Sequence, residues 1–200
     1  MQATTQSLIE SGQVTDPESP RGRLLAQAAH LFKTKGYERT TVRDLAAAVG
    51  IQSGSIFHHF RTKEDILFAI MAETIHTITA RMKAAVEAAH SPRDKVRALI
   101  RCELESIHGE TSEAMTVLVY EWRSLSEARQ AEILKMRDEY EQLWLGTLES
   151  ARQSGQLDVN VPVLRRFLTG ALSWTVFWYK PGGDMSLDDL ADQALKLAIK

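Results

Sequence analysis

The stretch that decides the fold covers residues 41–60 and reads TVRDLAAAVGIQSGSIFHHF. Thr41 and Asp44 stand at the spacing of a capping box, which predicts a short helix that ends at Gly50. A second short helix is predicted over about residues 53–60, joined to the first by a tight glycine turn. Two short helices connected in this way form a helix-turn-helix.

The apolar side chains of this stretch fall on the inner side of the two predicted helices. They are spaced to share a small core, which would contain Leu45, Val49, Ile51, Ile56 and Phe60. The side chains left outside are polar, and the second helix carries Ser53, Ser55, His58 and His59. In a helix-turn-helix this outer face lies in the major groove of DNA.

Thr40, Arg43 and Lys63 flank the predicted motif. They are placed to hold phosphates on either side of a groove. A helical hairpin with a glycine turn is also common in all-α proteins that bind no DNA, and surface histidines need no function. The residues alone therefore leave both interpretations open.

Charge is distributed unevenly along the chain. The formal net charge is −2, yet residues 21–65 hold eight Lys or Arg and four Asp or Glu. Residues 1–20 hold three acidic residues and no basic one, and residues 66–200 hold 16 basic and 19 acidic residues. Binding to phosphates needs local positive charge. The basic segment is thus the expected nucleic-acid contact, with an ordinary solvated face as the alternative.

Helical periodicity continues from Arg21 to the end of the chain, which predicts an all-α fold of about nine helices. Residues 1–20 are polar and lack Lys and Arg, so we expect a disordered tail. Residues 21–65 form a three-helix domain that contains the helix-turn-helix. We expect residues 66–200 to form a second helical domain.

Several classes of protein are not expected from this sequence. The longest uncharged stretch is too short to span a membrane, and the single Cys102 cannot form an internal disulfide. These features predict a cytoplasmic protein. His90 and His108 are isolated, and no catalytic or metal-binding constellation stands out, so we expect no enzyme, metal or cofactor. A helical adaptor that binds only protein remains a rival hypothesis.

Four segments at fixed offsets resemble the signature of the TetR family of transcriptional regulators. They are Gly36-Tyr37, residues 40–46 (TTVRDLA), residues 49–51 (VGI) and residues 55–67 (SIFHHFRTKEDIL). The resemblance covers residues 21–67. It implies an all-helical fold in which helices one to three bind operator DNA and helices four to nine bind a ligand. The last two helices would pair in a homodimer.

The resemblance also implies which residues contact DNA. We expect these to be Thr40, Thr41, Arg43, Ser53, Ser55, Phe57, His58, His59 and Lys63. Phe57 departs from the family pattern, which usually has a tyrosine whose hydroxyl contacts a phosphate. That hydrogen bond is lost here, although Phe57 can still pack on a sugar or a thymine methyl group.

The predicted helix over residues 162–179 is apolar around most of its circumference. One apolar stripe could pack inward while another meets a twofold-related copy, which favours a homodimer. The alternative is a helix buried in the core of one subunit.

Two further segments are similar to a TetR subgroup that represses fatty-acid or steroid catabolism and responds to acyl-CoA thioesters. They are residues 120–123 (YEWR) and 178–183 (WYKPGG). Candidate ligand-binding residues are Trp122, Arg123, Trp144, Arg165, Arg166, Trp174 and Trp178. The arginines could bind a CoA phosphate and the tryptophans could line a cavity. Surface ion pairs and plain core packing are the alternatives.

Together these features predict a repressor that leaves a palindromic operator when it binds a small apolar effector, such as an acyl-CoA thioester. The alternative within the family is a repressor of an efflux or stress gene that responds to a different hydrophobic molecule.

Overall fold

The computed structural model describes residues 2–199, with side chains for residues 4–199. All regular elements in this part of the chain are helical, which confirms the predicted all-α class. The α-helices are α1 (Gln2–Glu10), α2 (Pro20–Lys35), α3 (Val42–Val49), α4 (Ser53–Ile56), α5 (Lys63–Ala88), α6 (Pro92–His108), α7 (Ser112–Tyr120), α8 (Glu127–Gln153), α9 (Val161–Trp174) and α10 (Leu187–Ala198). Short 3₁₀ turns at Trp122–Ser124 and Thr175–Phe177 follow α7 and α9.

The helix boundaries follow the local capping signals. Thr41 and Asp44 form the predicted capping box at the start of α3, in which each side chain bonds the backbone N–H of the other residue. Ser186 and Asp189 form the same arrangement before α10. Gly50 ends α3 with φ of 72°, a left-handed conformation that a side chain would disfavour.

The chain divides into two compact units. The first contains the residues up to Thr77 together with Glu113–Arg137, and the second contains Ile78–Ser112 together with the residues from Asp138 onward. The predicted boundary at residue 65 is not a structural break, because α5 continues without interruption from Lys63 to Ala88. The division by function into residues 21–65 and 66–200 stays a prediction.

The first unit has a continuous hydrophobic core around the helix-turn-helix. Leu45, Ile56 and Phe60 are buried as predicted, and they join apolar residues from α2, α5, α7 and α8. Val49 packs against this core while partly exposed. Ile51 is 38% exposed, so its predicted place in the core is wrong. It lies in the turn between α3 and α4, beyond the reach of the inner face of either helix.

The amino-terminal segment differs from the expected disordered tail. It forms α1, in which Leu8 is buried. The following loop is held by Glu73 on α5, which accepts hydrogen bonds from the backbone N–H of Thr15 at 3.0 Å and from its hydroxyl at 2.7 Å. Polar composition alone predicted disorder, but a buried leucine and a distant carboxylate acceptor are enough to order the segment.

In the second unit, α6 packs against α9 and α10. Arg97 on α6 is paired with Asp192 at 2.5 Å and with Asp188 at 3.2 Å, both on α10. These pairs are partly exposed, so packing of the apolar faces is the larger contribution to stability. None of the described helices combines the length and the apolarity that crossing a membrane requires.

Replacing Asp44 with asparagine tests the cap of α3 through its pH dependence. Hydrogen bonds from the Lys35 ammonium and from Thr41 hold the pKa of Asp44 well below its ordinary value of 3.8. A carboxyl with a lowered pKa stabilises the fold above its unfolded pKa and loses this contribution as the pH falls through the folded pKa. Asp44→Asn should therefore lower the thermal midpoint at neutral pH, and the difference from wild type should narrow in acid.

Differential scanning calorimetry between neutral pH and acid measures this difference. Asp138→Asn is the matched control, because it removes an exposed carboxylate from α8. A difference for Asp44→Asn that stays constant into acid contradicts the role given to the ionised carboxylate.

Candidate functional site

The second helix of the helix-turn-helix is short and is anchored by two apolar side chains. Its regular part is α4, and further backbone hydrogen bonds carry the helical path on to Phe60, whose N–H donates to the Ile56 carbonyl at 3.0 Å. Ile56 and Phe60 are buried, with exposed fractions of 1% and 5%. The segment is therefore fixed to the core along one side.

The other side of this segment faces solvent. Phe57, His58 and His59 are exposed, and Ser53 and Ser55 are half-buried. This is the face on which the sequence placed the residues that meet base edges. We call it the recognition face and define it by these five residues.

Two basic residues close in sequence to the recognition face are also exposed. Arg43 lies on α3, as predicted, and Arg61 directly follows the buried Phe60. Thr41 is exposed but its hydroxyl is bonded to the Asp44 carboxylate at 2.7 Å. The sequence analysis missed Arg61, although its positive charge immediately after the motif was a usable signal.

Thr40 and Lys63, which were predicted to contact phosphates, make structural contacts within the first unit. Thr40 is fully buried and its hydroxyl donates to the Gly36 carbonyl at 2.8 Å, so its side chain cannot reach a phosphate. The Lys63 ammonium donates to the carbonyls of Tyr37 and Thr40 at 2.8 and 3.0 Å. It also lies 4.1 Å from the centre of the Tyr37 ring. Lys63 thus fixes the loop before α3.

A buried polar cluster lies in the second unit and is centred on Glu103 of α6. One oxygen of the Glu103 carboxylate, Oε2, accepts a hydrogen bond from the Trp144 indole at 3.1 Å and another from the Tyr140 hydroxyl. Glu103 is 2% exposed and Trp144 is fully buried. Burial, and after it the charge of Glu103, raises the pKa of Tyr140 well above its ordinary value of 10.0, so the phenol stays neutral.

Arg165 of α9 completes this cluster. Its Nη2 atom donates to the Tyr140 hydroxyl at 3.1 Å and lies 3.7 Å from the Glu103 carboxylate, and its Nε atom donates to Glu141 at 3.1 Å. The guanidinium carbon lies 4.3 Å from the centre of the Trp144 ring. We call Glu103, Tyr140, Glu141, Trp144 and Arg165 the Arg165 cluster.

The predicted ligand-binding residues do not form one group. Trp144 and Arg165 are in contact within the Arg165 cluster. In the same unit, Arg166, Trp174 and Trp178 are exposed. Trp122 is partly buried against the core of the first unit, and Arg123 is exposed.

Glu103 and Tyr140 were missed as site candidates. The signal for Glu103 was present, because it occupies a position on the apolar stripe of α6 formed by Val96, Leu99, Ile100 and Leu104. A carboxylate at a core-facing position needs buried partners. That pattern alone predicts a polar cluster, but it does not identify the partners on α8 and α9.

Apolar side chains also cover the outer surface of α9 and the turn that follows it. Phe167 is 74% exposed, Trp174 63% and Phe177 67%, and Val163 and Trp178 are about half exposed. Trp174 and Phe177 contact each other, with ring centres 4.4 Å apart. We call these five residues the aromatic face. Such a surface marks an interaction site.

Comparison with known proteins gives the class of this fold and site. Residues 24–70 match the family model for bacterial regulatory proteins of the tetR family, and residues 89–200 match the model for tetracyclin repressor-like C-terminal domains. The chain belongs to the TetR family of transcriptional regulators.

Individual relatives are similar over almost their whole length. The chain is 30% identical to the HTH-type transcriptional repressor KstR2 of Mycolicibacterium smegmatis, covering 92% of this chain and 91% of that protein. It is 32% identical to KstR2 of Rhodococcus jostii, covering 90% and 89%. A crystal structure described as superantigen pfit has 55% identity and a TM-score of 0.90, covering 100% and 98%. The structure of the ketosteroid regulator KstR2 of Mycobacterium tuberculosis has 27% identity and a TM-score of 0.82, covering 94% and 99%.

Replacing Lys63 with methionine tests its structural contacts. Two backbone carbonyls lose a charged donor while the aliphatic part of the side chain is kept, so the free energy of unfolding should fall by about 1–2 kcal/mol. Urea unfolding of Lys63→Met and of Lys135→Met, an exposed lysine on α8, measures the difference. Unchanged stability of Lys63→Met would contradict the structural role given to its hydrogen bonds with the two carbonyls.

Proposed function

We propose that this protein is a homodimeric repressor that binds a twofold-symmetric operator and leaves it when an apolar effector binds. The observation that carries the proposal is the recognition face, where Phe57, His58 and His59 are exposed while the same short segment is anchored in the core by Ile56 and Phe60. A segment fixed in this way can enter a major groove without losing its conformation.

The residues of the recognition face suit the reading of bases. The imidazoles of His58 and His59 donate and accept hydrogen bonds at base edges, and the exposed Phe57 ring can contact a thymine methyl group. Arg43 and Arg61 are exposed beside this face and would bind phosphates. The overall charge of −2 is compatible with this arrangement, because the positive charge is needed only locally.

The named relatives support repression. The KstR2 proteins that are 30% and 32% identical to this chain are transcriptional repressors, and the related solved structure is of a ketosteroid regulator. The label superantigen belongs to the 55% identical protein, and a TetR-type chain needs no such activity to explain its recognition face.

An acyl-CoA thioester is the effector class that we propose. The segments at residues 120–123 and 178–183 support this class by their similarity to regulators of lipid and steroid catabolism. The exposed Arg123 and Arg166 are available for the phosphates of CoA.

The aromatic face supports the homodimer. A contiguous surface that holds three aromatic rings with exposed fractions above 60% is unusual on a solvated monomer. In a twofold dimer the same surface on both subunits would be buried together. Symmetric pairing would also present two recognition faces to two half-sites of one operator.

Operator binding is tested with a duplex selected from random sequences by the wild-type protein. Arg43→Ala should weaken operator binding. It should also reduce the slope of the logarithm of affinity against the logarithm of salt concentration by about one. His58→Ala should weaken binding about tenfold and relax the preference at one base position. Fluorescence anisotropy over a series of salt concentrations measures both effects.

Matched controls separate these effects from a general loss of charge or of histidine. Arg137→Ala removes an exposed arginine from α8, and His90→Ala removes an exposed histidine from the segment between α5 and α6. Both controls should bind as wild type does.

Failure to select any duplex favours the adaptor hypothesis. Octanoyl-CoA should release the wild-type complex, and an unaffected complex argues for the efflux or stress alternative.

Dimerisation is tested by placing a charge in the aromatic face. Phe167→Glu should convert the dimer to a monomer, because two carboxylates would be buried at the symmetric contact. Tyr120→Glu is the control, since Tyr120 is 68% exposed in the first unit. Sedimentation velocity at micromolar concentration gives the mass. A monomeric wild type, or a dimeric Phe167→Glu, contradicts the proposed interface.

A further inference from the structure

The guanidinium of Arg165 has a buried donor without a partner. Arg165 is 2% exposed, and its Nη1 atom has no hydrogen-bond partner among the described residues. The other two nitrogens are bonded within the Arg165 cluster, Nε to Glu141 and Nη2 to Tyr140. The cluster therefore uses one edge of the guanidinium and leaves Nη1 without an acceptor.

A buried N–H of a charged group is costly when nothing accepts it. The contacts that surround Arg165 also limit its movement, because its guanidinium carbon lies over the Trp144 ring and the bonds of Nε and Nη2 restrict its rotation. Nη1 is consequently a fixed and buried donor within the second unit. A ligand that brings an oxygen to it gains a directed hydrogen bond.

The charges of the cluster decide what kind of oxygen fits. The carboxylates of Glu103 and Glu141 carry two negative charges against the single positive charge of Arg165. Glu103 is as deeply buried as Arg165, so solvent screens this pair little. Tyr140 stays neutral and adds no further negative charge. A carboxylate or phosphate at Nη1 would be repelled, whereas a neutral oxygen would not.

We propose that Nη1 of Arg165 donates a hydrogen bond to a neutral carbonyl oxygen of the effector, either the thioester carbonyl of an acyl-CoA or a ketone. The proposal rests on the proposed function, because it assumes that the effector enters the second unit. It replaces the expected role of Arg165 as a partner for a CoA phosphate. The exposed Arg166 is the neighbouring arginine that can still take that role.

The test compares octanoyl-CoA with S-octyl-CoA, a thioether that lacks only the carbonyl oxygen. Wild type should bind the thioester about tenfold more tightly than the thioether, the effect of one hydrogen bond from a charged donor. Arg165→Lys keeps the charge but loses Nη1, so the two probes should bind it almost equally. Arg152→Lys, which changes an exposed arginine on α8, is the matched control and should keep the wild-type preference. Isothermal titration calorimetry measures all six affinities.

A parallel titration with progesterone distinguishes the two carbonyl sources. If wild type binds progesterone but not octanoyl-CoA, and Arg165→Lys loses the binding of progesterone, the effector is a ketone. Equal binding of thioester and thioether to wild type overturns the proposal. The proposal is also overturned if none of the three probes binds wild type. In that case the operator-binding experiment shows separately whether the protein is a DNA-binding repressor.

A second variant protects the test against misfolding of Arg165→Lys. Glu103→Gln keeps the shape of the side chain and removes one negative charge from the Arg165 cluster. Octanoate should bind wild type at least tenfold more weakly than methyl octanoate, and this gap should narrow in Glu103→Gln. If wild type binds octanoate as tightly as methyl octanoate, the site accepts anions and the argument from the charges of the cluster is wrong.

Discussion

The burial of Ile56 and Phe60 is the contact on which the recognition face depends. The regular part of α4 has four residues, and a helix of that length has too few backbone hydrogen bonds to persist alone. Its conformation therefore comes from packing. Phe60 also lies 4.6 Å below the guanidinium of Arg21 on α2, which holds the end of the segment from a second side. Without these anchors the exposed histidines would have no fixed orientation.

The first unit is also held together by hydrogen bonds and ion pairs between residues that are distant in sequence. The Glu121 carboxylate after α7 accepts a hydrogen bond from the Tyr37 N–H at 3.2 Å. The Glu64 carboxylate on α5 accepts one from the Ser126 N–H at 2.7 Å, and Arg129 on α8 is paired with Asp65 at 3.1 Å. A shift of α7 or α8 would thus act directly on the loop before α3 and on the start of α5. An effector changes operator affinity only if it favours one such arrangement over the other.

Local signals explain what could be predicted from the sequence. The capping boxes at Thr41 and Ser186, the left-handed Gly50 and the exposed His58 all follow from residues within a few positions of one another. The features that the sequence did not reveal depend on contacts between residues that are distant along the chain. The order of the amino-terminal segment requires Glu73, 58 residues beyond Thr15. The burial of Thr40 and the bonds of Lys63 depend on how one loop folds over another, which no periodicity reveals.

The Arg165 cluster shows a different limit of the sequence. An apolar stripe on α6 that contains Glu103 indicates a buried charge, but the partner could have been any of the basic residues of the chain. A buried ion pair is weak evidence for stability, because apolar residues of similar volume would often stabilise the fold more. The cluster also keeps one donor unsatisfied, which adds to its cost. A core selected for stability alone would have no reason to keep this arrangement. A binding site would, because a donor fixed before the ligand arrives loses little entropy on binding and can distinguish a carbonyl from a methylene.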